Sequence, residues 1–254
     1  MNRKGIWVGS SNQPFSRKIV RDTMFFSVIR TILAGQPVDI AAVSAQVLAI
    51  VFVILCILPL HEFAHGWVAN KLGDPTARLE RRLTLNPLAS VDPVGTVWLF
   101  LFGFGWAKPV PVNPRYFRKP KRDMAIVALA GPVSNLLAAL VGAVLLFAML
   151  TLAPYNGVTS FIIKVFSYYV TVNVTLAAFN LLPIPPLDGS RILGAFLSDR
   201  ALAAYYRYQN LFVMVLFVLM ISGAFSGPLY AIENVLTRGI SWIAALPFRL
   251  FGLL

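Results

Sequence analysis

The chain has 254 residues, 58% of them hydrophobic and only 13% charged, with a formal net charge of +12. This excludes an ordinary soluble domain, in which about a quarter of residues are charged. The basic excess argues against a nucleic-acid role too, because it is clustered beside apolar runs: Arg3, Lys4, Arg17, Lys18 and Arg21 near the N-terminus, and Arg115, Arg118, Lys119, Lys121 and Arg122 in one loop. Anionic lipid is the partner such clusters fit.

Residues 1–40 form a basic N-terminal segment; residues 1–23 are polar and basic without the apolar centre of a secretory signal, and Arg30 and Asp39 make residues 24–40 a poor membrane crossing. Residues 41–60, 125–153, 165–187 and 208–232 carry no Asp, Glu, Lys or Arg. Each is long enough to span a bilayer as a helix, and continuous runs of this kind read as helices rather than barrel strands. The expected elements are a helix over 41–69, a polar stretch over 71–90 with an Asn86-Pro87 turn, and a short glycine-rich apolar segment over 93–107. A basic loop to Asp123 and helices near 125–152 and 161–182 follow. Last come a polar stretch after Asp188, another span and an amphipathic tail.

Both flanks of residues 93–107 are basic, with four Lys/Arg in 71–90 and six in 108–123. The segment is therefore expected to dip into the membrane and return to the cytoplasmic side. The fold class is an all-α polytopic membrane protein, a bundle of about four to six transmembrane helices with a re-entrant segment near 93–107. Its embedded core is expected over 41–232 and an interfacial tail over 233–254.

The chain's only histidines, His61 and His65, fall in His61-Glu62-Phe63-Ala64-His65 at the end of the first apolar run. Residues four apart share a helix face about 5–6 Å apart, close enough to bind one metal ion, and Glu62 supplies a base for the metal's water. Ionisable groups at membrane depth are costly and mark function. A third ligand has to be a carboxylate, since the lone Cys56 lies in an apolar run and is expected to be a buried apolar residue. Solvated charge accounts for Asp22, Asp39, Asp74, Asp123 and Asp199. Asp188 stands apart, after three prolines that end a helix, at the depth of the histidines under the re-entrant topology. Two histidines and an aspartate fit one Zn2+ per chain best. The same ligands would serve a metal transporter or a metal-binding scaffold without catalysis. Glu62 is superfluous for both, and residues 41–60 offer an ion path only Ser44 and Gln46.

His61-Glu-Phe-Ala-His65, followed far downstream by Asn180-x-x-Pro-x-x-x-Leu-Asp188-Gly189, resembles the site-2 protease family of intramembrane zinc metalloproteases. Gly131-Pro-Val-Ser-Asn135 and the stretch from Arg82 to Gly95 resemble its compact members, which lack PDZ or CBS domains. The resemblance implies zinc on His61, His65 and Asp188, with Glu62 as general base and acid. It also implies contacts from Asn180 and Asn135 to the backbone of a membrane-protein substrate. Location in the cell membrane, an active site toward the cytoplasm and cleavage in or near transmembrane segments follow as expectations. Residues 103–109 are a further expectation, as an edge with which an unwound substrate could pair.

Overall fold

The computed structural model describes residues 32–35, 37–102, 107–222 and 224–253. Among these every regular element is helical: α1 (Ile40–Lys71), α2 (Thr76–Leu79), α3 (Pro87–Ser90), α4 (Pro93–Phe102), α5 (Pro120–Leu152), α6 (Gly157–Asn180), α7 (Asp188–Gly194), α8 (Asp199–Arg207), α9 (Gln209–Ile221) and α10 (Ser226–Leu250). Three of them, α1, α5 and α6, are long and apolar enough to cross a membrane; there are four such spans if α8 and α9, bent by 57°, count as one. Counted as four, they reach the lower end of the expected four to six. The expected span over 208–232 is not one helix, because α9 ends at Ile221 and α10 starts at Ser226.

The buried and exposed faces of α5 follow its sequence. Ile126, Leu129, Val133, Leu137, Val141 and Leu145 recur every three or four residues as an exposed apolar stripe, the face a bilayer would wet. Small residues on the other face allow close approach: Ala138, Ala139 and Ala143 are buried, and a Cβ on Gly142 would meet the Tyr169 ring of α6 at 2.5 Å. The core joins these residues to Ala49, Val53 and Ile57 of α1 and Val170 and Val174 of α6. It also includes Ile240, Ala244, Ala245 and Phe248 of α10, so the packed core reaches into the stretch read from sequence as an interfacial tail.

Three contacts set the directions of the long helices. Asp39, which caps α1 through the Ala42 amide, pairs with Lys164 of α6 at 2.7 Å. At the other ends of these two helices His61 and His65 meet Asp188, so α1 and α6 run parallel. The Val127 carbonyl of α5 bonds His65, so α5 starts where α1 finishes and runs back. The chain from 72 to 119 therefore leaves and returns at one end of the bundle. Within it Val91 packs against Ile50 and Ile54, and the Lys108 amide donates to the Ser90 carbonyl at 2.8 Å, bringing the two ends of residues 91–107 together. Helix α4 is ten residues, about 15 Å, half a bilayer core. This matches the expected re-entrant segment.

Two expectations are corrected. Cys56 is exposed, beside the half-exposed Phe52 and Leu55, on the outer face of α1 rather than in the core. Asp74 and Asp123 are buried, not solvated. Asp74 accepts from the Thr76 amide and hydroxyl and, at 2.7 Å, from the Asn113 amide, tying the two ends of the excursion together. Asp123 accepts from the Lys119 amide and from Arg122 at the start of α5, where a carboxylate also suits the helix dipole. Asp22 and most of residues 24–40 lie outside the described residues.

Candidate metal centre

The last three turns of α1 carry His61 and His65, both nearly buried. Their placement depends on one irregularity upstream. Val53–Ile57 form a π-helical turn, in which the Leu58 amide reaches back to the Val53 carbonyl. Pro59 lacks an amide and its ring crowds the carbonyl of residue 55, so the wider turn relieves a clash that a regular helix would carry. The turn also absorbs one extra residue, or 100° of rotation. Ala45, Ala49, Val53, Ile57, His61, His65 and Ala69, spaced by four, all stay buried along the side of α1 that faces the bundle.

His61 Nε2 and His65 Nε2 are 3.0 Å apart, and each is 3.3 Å from Asp188 Oδ2. His65 Nδ1 lies 2.7 Å from the Val127 carbonyl, which can only accept. The His65 proton is therefore on Nδ1, and Nε2 presents a lone pair to the centre. Asp188 Oδ2 has no hydrogen-bond donor. With its proton on Nδ1, His61 also presents a lone pair at Nε2, and the three acceptor atoms then converge in a buried space that a cation would hold together. Metal bonds of about 2.0–2.1 Å at tetrahedral angles separate two donor atoms by about 3.3 Å, so these three atoms fit the face of a zinc site with room for a further ligand.

Neighbouring backbone makes this possible. A Cβ on Gly131 would meet His65 Nε2 at 2.3 Å and His61 Cε1 at 2.5 Å, so only glycine admits the rings. Gly131 also follows Val127 by one turn, leaving that carbonyl uncovered for His65. On the other side the Pro183-Ile-Pro-Pro turn ends α6, and Leu187 leads directly into α7, with Asp188 as its first residue. A Cβ on Gly189 would lie 2.3 Å from the Leu181 and Leu182 carbonyls, so the aspartate is held by backbone packed on backbone.

Glu62, next to His61 on α1, accepts the Val110 amide at Oε2, 2.8 Å. The stretch holding Val110 is pinned at several points: Arg82 donates to the carbonyls of Lys108 and Pro109, and the Lys108 amide is committed to Ser90. This counts against part of the expected pairing edge. The Lys108 and Val110 amides are spent inward, and Pro109 and Pro111 have none, so residues 108–111 offer an incoming strand no donor there. Residues 103–106 lie outside the described residues.

Asn135 follows Gly131 by one turn, is fully buried, and both polar atoms of its side chain lack partners. Asn180 is partly buried and donates to the Leu176 carbonyl of its own helix at 3.0 Å. Two contributors escape sequence reading, the Val127 carbonyl and the Val110 amide. Both are main-chain groups that no side-chain pattern marks. Gly131 did carry a signal, a glycine and proline together inside a long helix.

The family model of Peptidase family M50 matches residues 149–223, a stretch that contains Asn180 and Asp188. The protein named "Putative zinc metalloprotease YwhC" of Bacillus subtilis (strain 168) is 39% identical over 191 residues, covering 73% of this chain and 85% of its own length. The chain belongs to peptidase family M50. "Putative zinc metalloprotease Rip2" of Mycobacterium tuberculosis (strain ATCC 25618 / H37Rv) is 33% identical over 214 residues, covering 78% of both chains. Stage IV sporulation protein FB of Bacillus subtilis (strain 168) is 27% identical over 146 residues, covering 54% of this chain and 47% of its own. No solved structure matches the chain. Family M50 is the site-2 protease family, and this M50 chain is a compact membrane zinc metalloprotease. Zinc is its metal, and the His61, His65 and Asp188 group is the one among the described residues that could hold it.

Proposed function

We propose that the chain is an intramembrane endopeptidase that hydrolyses peptide bonds in or near transmembrane segments of membrane proteins, with its centre toward the cytoplasmic side of the cell membrane. The observation that carries this reading is the convergence of two imidazole nitrogens and a carboxylate oxygen within 3.3 Å at one end of an apolar helix bundle, with Glu62 beside them. Its orientation rests on the basic residues gathered at that end.

His61, His65 and Asp188 hold the zinc, and the Val127 carbonyl keeps His65 in the ligating tautomer. When bound, zinc lowers the pKa of a water and polarises the scissile carbonyl. Glu62 takes that water's proton. Its Oε2 is anchored by the Val110 amide, so Oε1 is the atom that accepts the proton and later delivers it to the leaving amide nitrogen. A helical substrate must unwind first, because its amides are spent in its own hydrogen bonds. The unpaired carboxamide of Asn135 and the side-chain oxygen of Asn180 are then the groups that hold the freed backbone.

The test is zinc content of detergent-purified parent, Glu62→Ala and Asp188→Ala chains, together with cleavage of a transmembrane peptide. We expect one zinc per chain in the parent and in Glu62→Ala, weakened binding in Asp188→Ala, and cleavage by the parent alone. A parent chain without zinc, or a Glu62→Ala chain that still cuts, would overturn the assignment.

A further inference from the structure

A cavity of about 350 Å³ opens between residues 110–114, the start of α5, and helices α7 and α8. Val110, Val112, Met124 and Leu202 line it with apolar surface, and Lys121 and Arg191 add two cations. Three of its walls are tied to the centre. Val110 gives its amide to Glu62. Met124 lies one turn before Val127, which holds His65. Arg191 lies one turn after Asp188 on α7.

The two cations differ. Lys121 Nζ is 2.7 Å from Asp199 and 2.8 Å from the Leu197 carbonyl, so its charge is answered. Arg191 is partly buried, and among the described residues its guanidinium has no hydrogen bond or ion pair. An unpaired guanidinium in a partly apolar cavity is a strong site for a carboxylate, which it can bind through two parallel bonds.

We propose that this cavity is a substrate subsite that selects an aspartate or glutamate side chain near the scissile bond by pairing it with Arg191. The inference rests on the protease reading above. A substrate side chain fits better than a lipid headgroup because the walls are continuous with the groups around the zinc. Val110 touches Glu62 directly, and Met124 and Arg191 each lie three residues from a group at the centre. The cations best placed for lipid, such as Arg118, are exposed on the preceding loop.

The experiment uses the full chain in phosphatidylcholine nanodiscs and transmembrane peptides identical except for Glu, Gln or Lys at each of three positions on either side of the cut. The expected result is one position where Glu is preferred over Gln by about 10- to 100-fold in kcat/KM, the range for a charge-assisted hydrogen bond. Arg191→Gln should bring that ratio near one and Arg191→Glu should invert it toward Lys. Arg200→Gln, the same charge change on α8, should keep the parental ratio. Affinities of the Glu and Gln peptides for the Glu62→Ala chain should show the same ordering. A parent that cuts without acidic preference at any position, or a preference untouched by Arg191→Glu, overturns the inference. So does an Arg191 effect that appears only when phosphatidylglycerol is added, which assigns the cavity to lipid. No cleavage by the parent of any peptide defeats the protease reading instead, and the binding comparison then decides the subsite alone.

Discussion

Gly131 shows how much at the metal centre depends on a missing side chain. Two imidazole rings occupy the space its Cβ would fill, and the carbonyl that orients His65 lies one turn before it. Gly131→Ala should therefore leave the helices formed but lower zinc affinity by at least about tenfold, the usual cost of disturbing the groups that orient a ligand. Competition with a chelator reads that affinity and circular dichroism reads the helices. Parental affinity in Gly131→Ala would mean that the rings shift freely. Asp74 carries the opposite lesson. A lone aspartate in a polar, basic segment reads as solvated, yet two donors on Thr76 and one on the distant Asn113 enclose it. Thr76 is a sequence neighbour, but nothing near Asp74 in sequence announces the third donor, the Asn113 amide.

At the scale of elements, the π turn in α1 joins two tasks that a regular helix would set at odds. The half before it packs Ala45 and Ala49 into the bundle, and the half after it aims His61 and His65 at Asp188. Deleting the exposed Cys56 would restore regular winding and turn one half relative to the other by 100°. Either the small residues or the histidines then leave the bundle. We expect a loss of about 2–3 kcal/mol, typical of forced repacking, seen as a fall of roughly 5–10 °C in Tm, together with loss of zinc. Cys56→Ala, which keeps the chain length, should match the parent in both. A deletion variant with parental Tm and zinc would show that the turn is not needed.

The whole molecule places both flanks of the 91–107 excursion at the metal end and the α5–α6 turn at the other. This gives the proposed orientation a direct test. In a Cys56→Ser background, cysteines at Glu80 and Arg118, both exposed, should react with an impermeant maleimide only from the cytoplasmic side. A cysteine at Tyr155 should react only from the opposite side. Glu80 and Arg118 labelling from different sides would mean that residues 91–107 cross the membrane, contrary to the hydrogen bond between Lys108 and Ser90 that closes them.

The apolar runs, the paired histidines with Glu62, and the aspartate after a proline-broken helix are local patterns, and the sequence by itself determined them. Helix length, the four-residue repeat and the proline break are properties of neighbouring residues, so they are legible without a fold. Even the parallel course of α1 and α6 could be argued, because the basic flanks and the ligand depth both demanded it. The tertiary structure alone decided which backbone groups serve the site, that Cys56 faces outward, that Asp74 is enclosed, and that α10 joins the core. Those outcomes depend on which distant main-chain atoms come within hydrogen-bond reach and on which helix face meets a partner, and no local pattern encodes either.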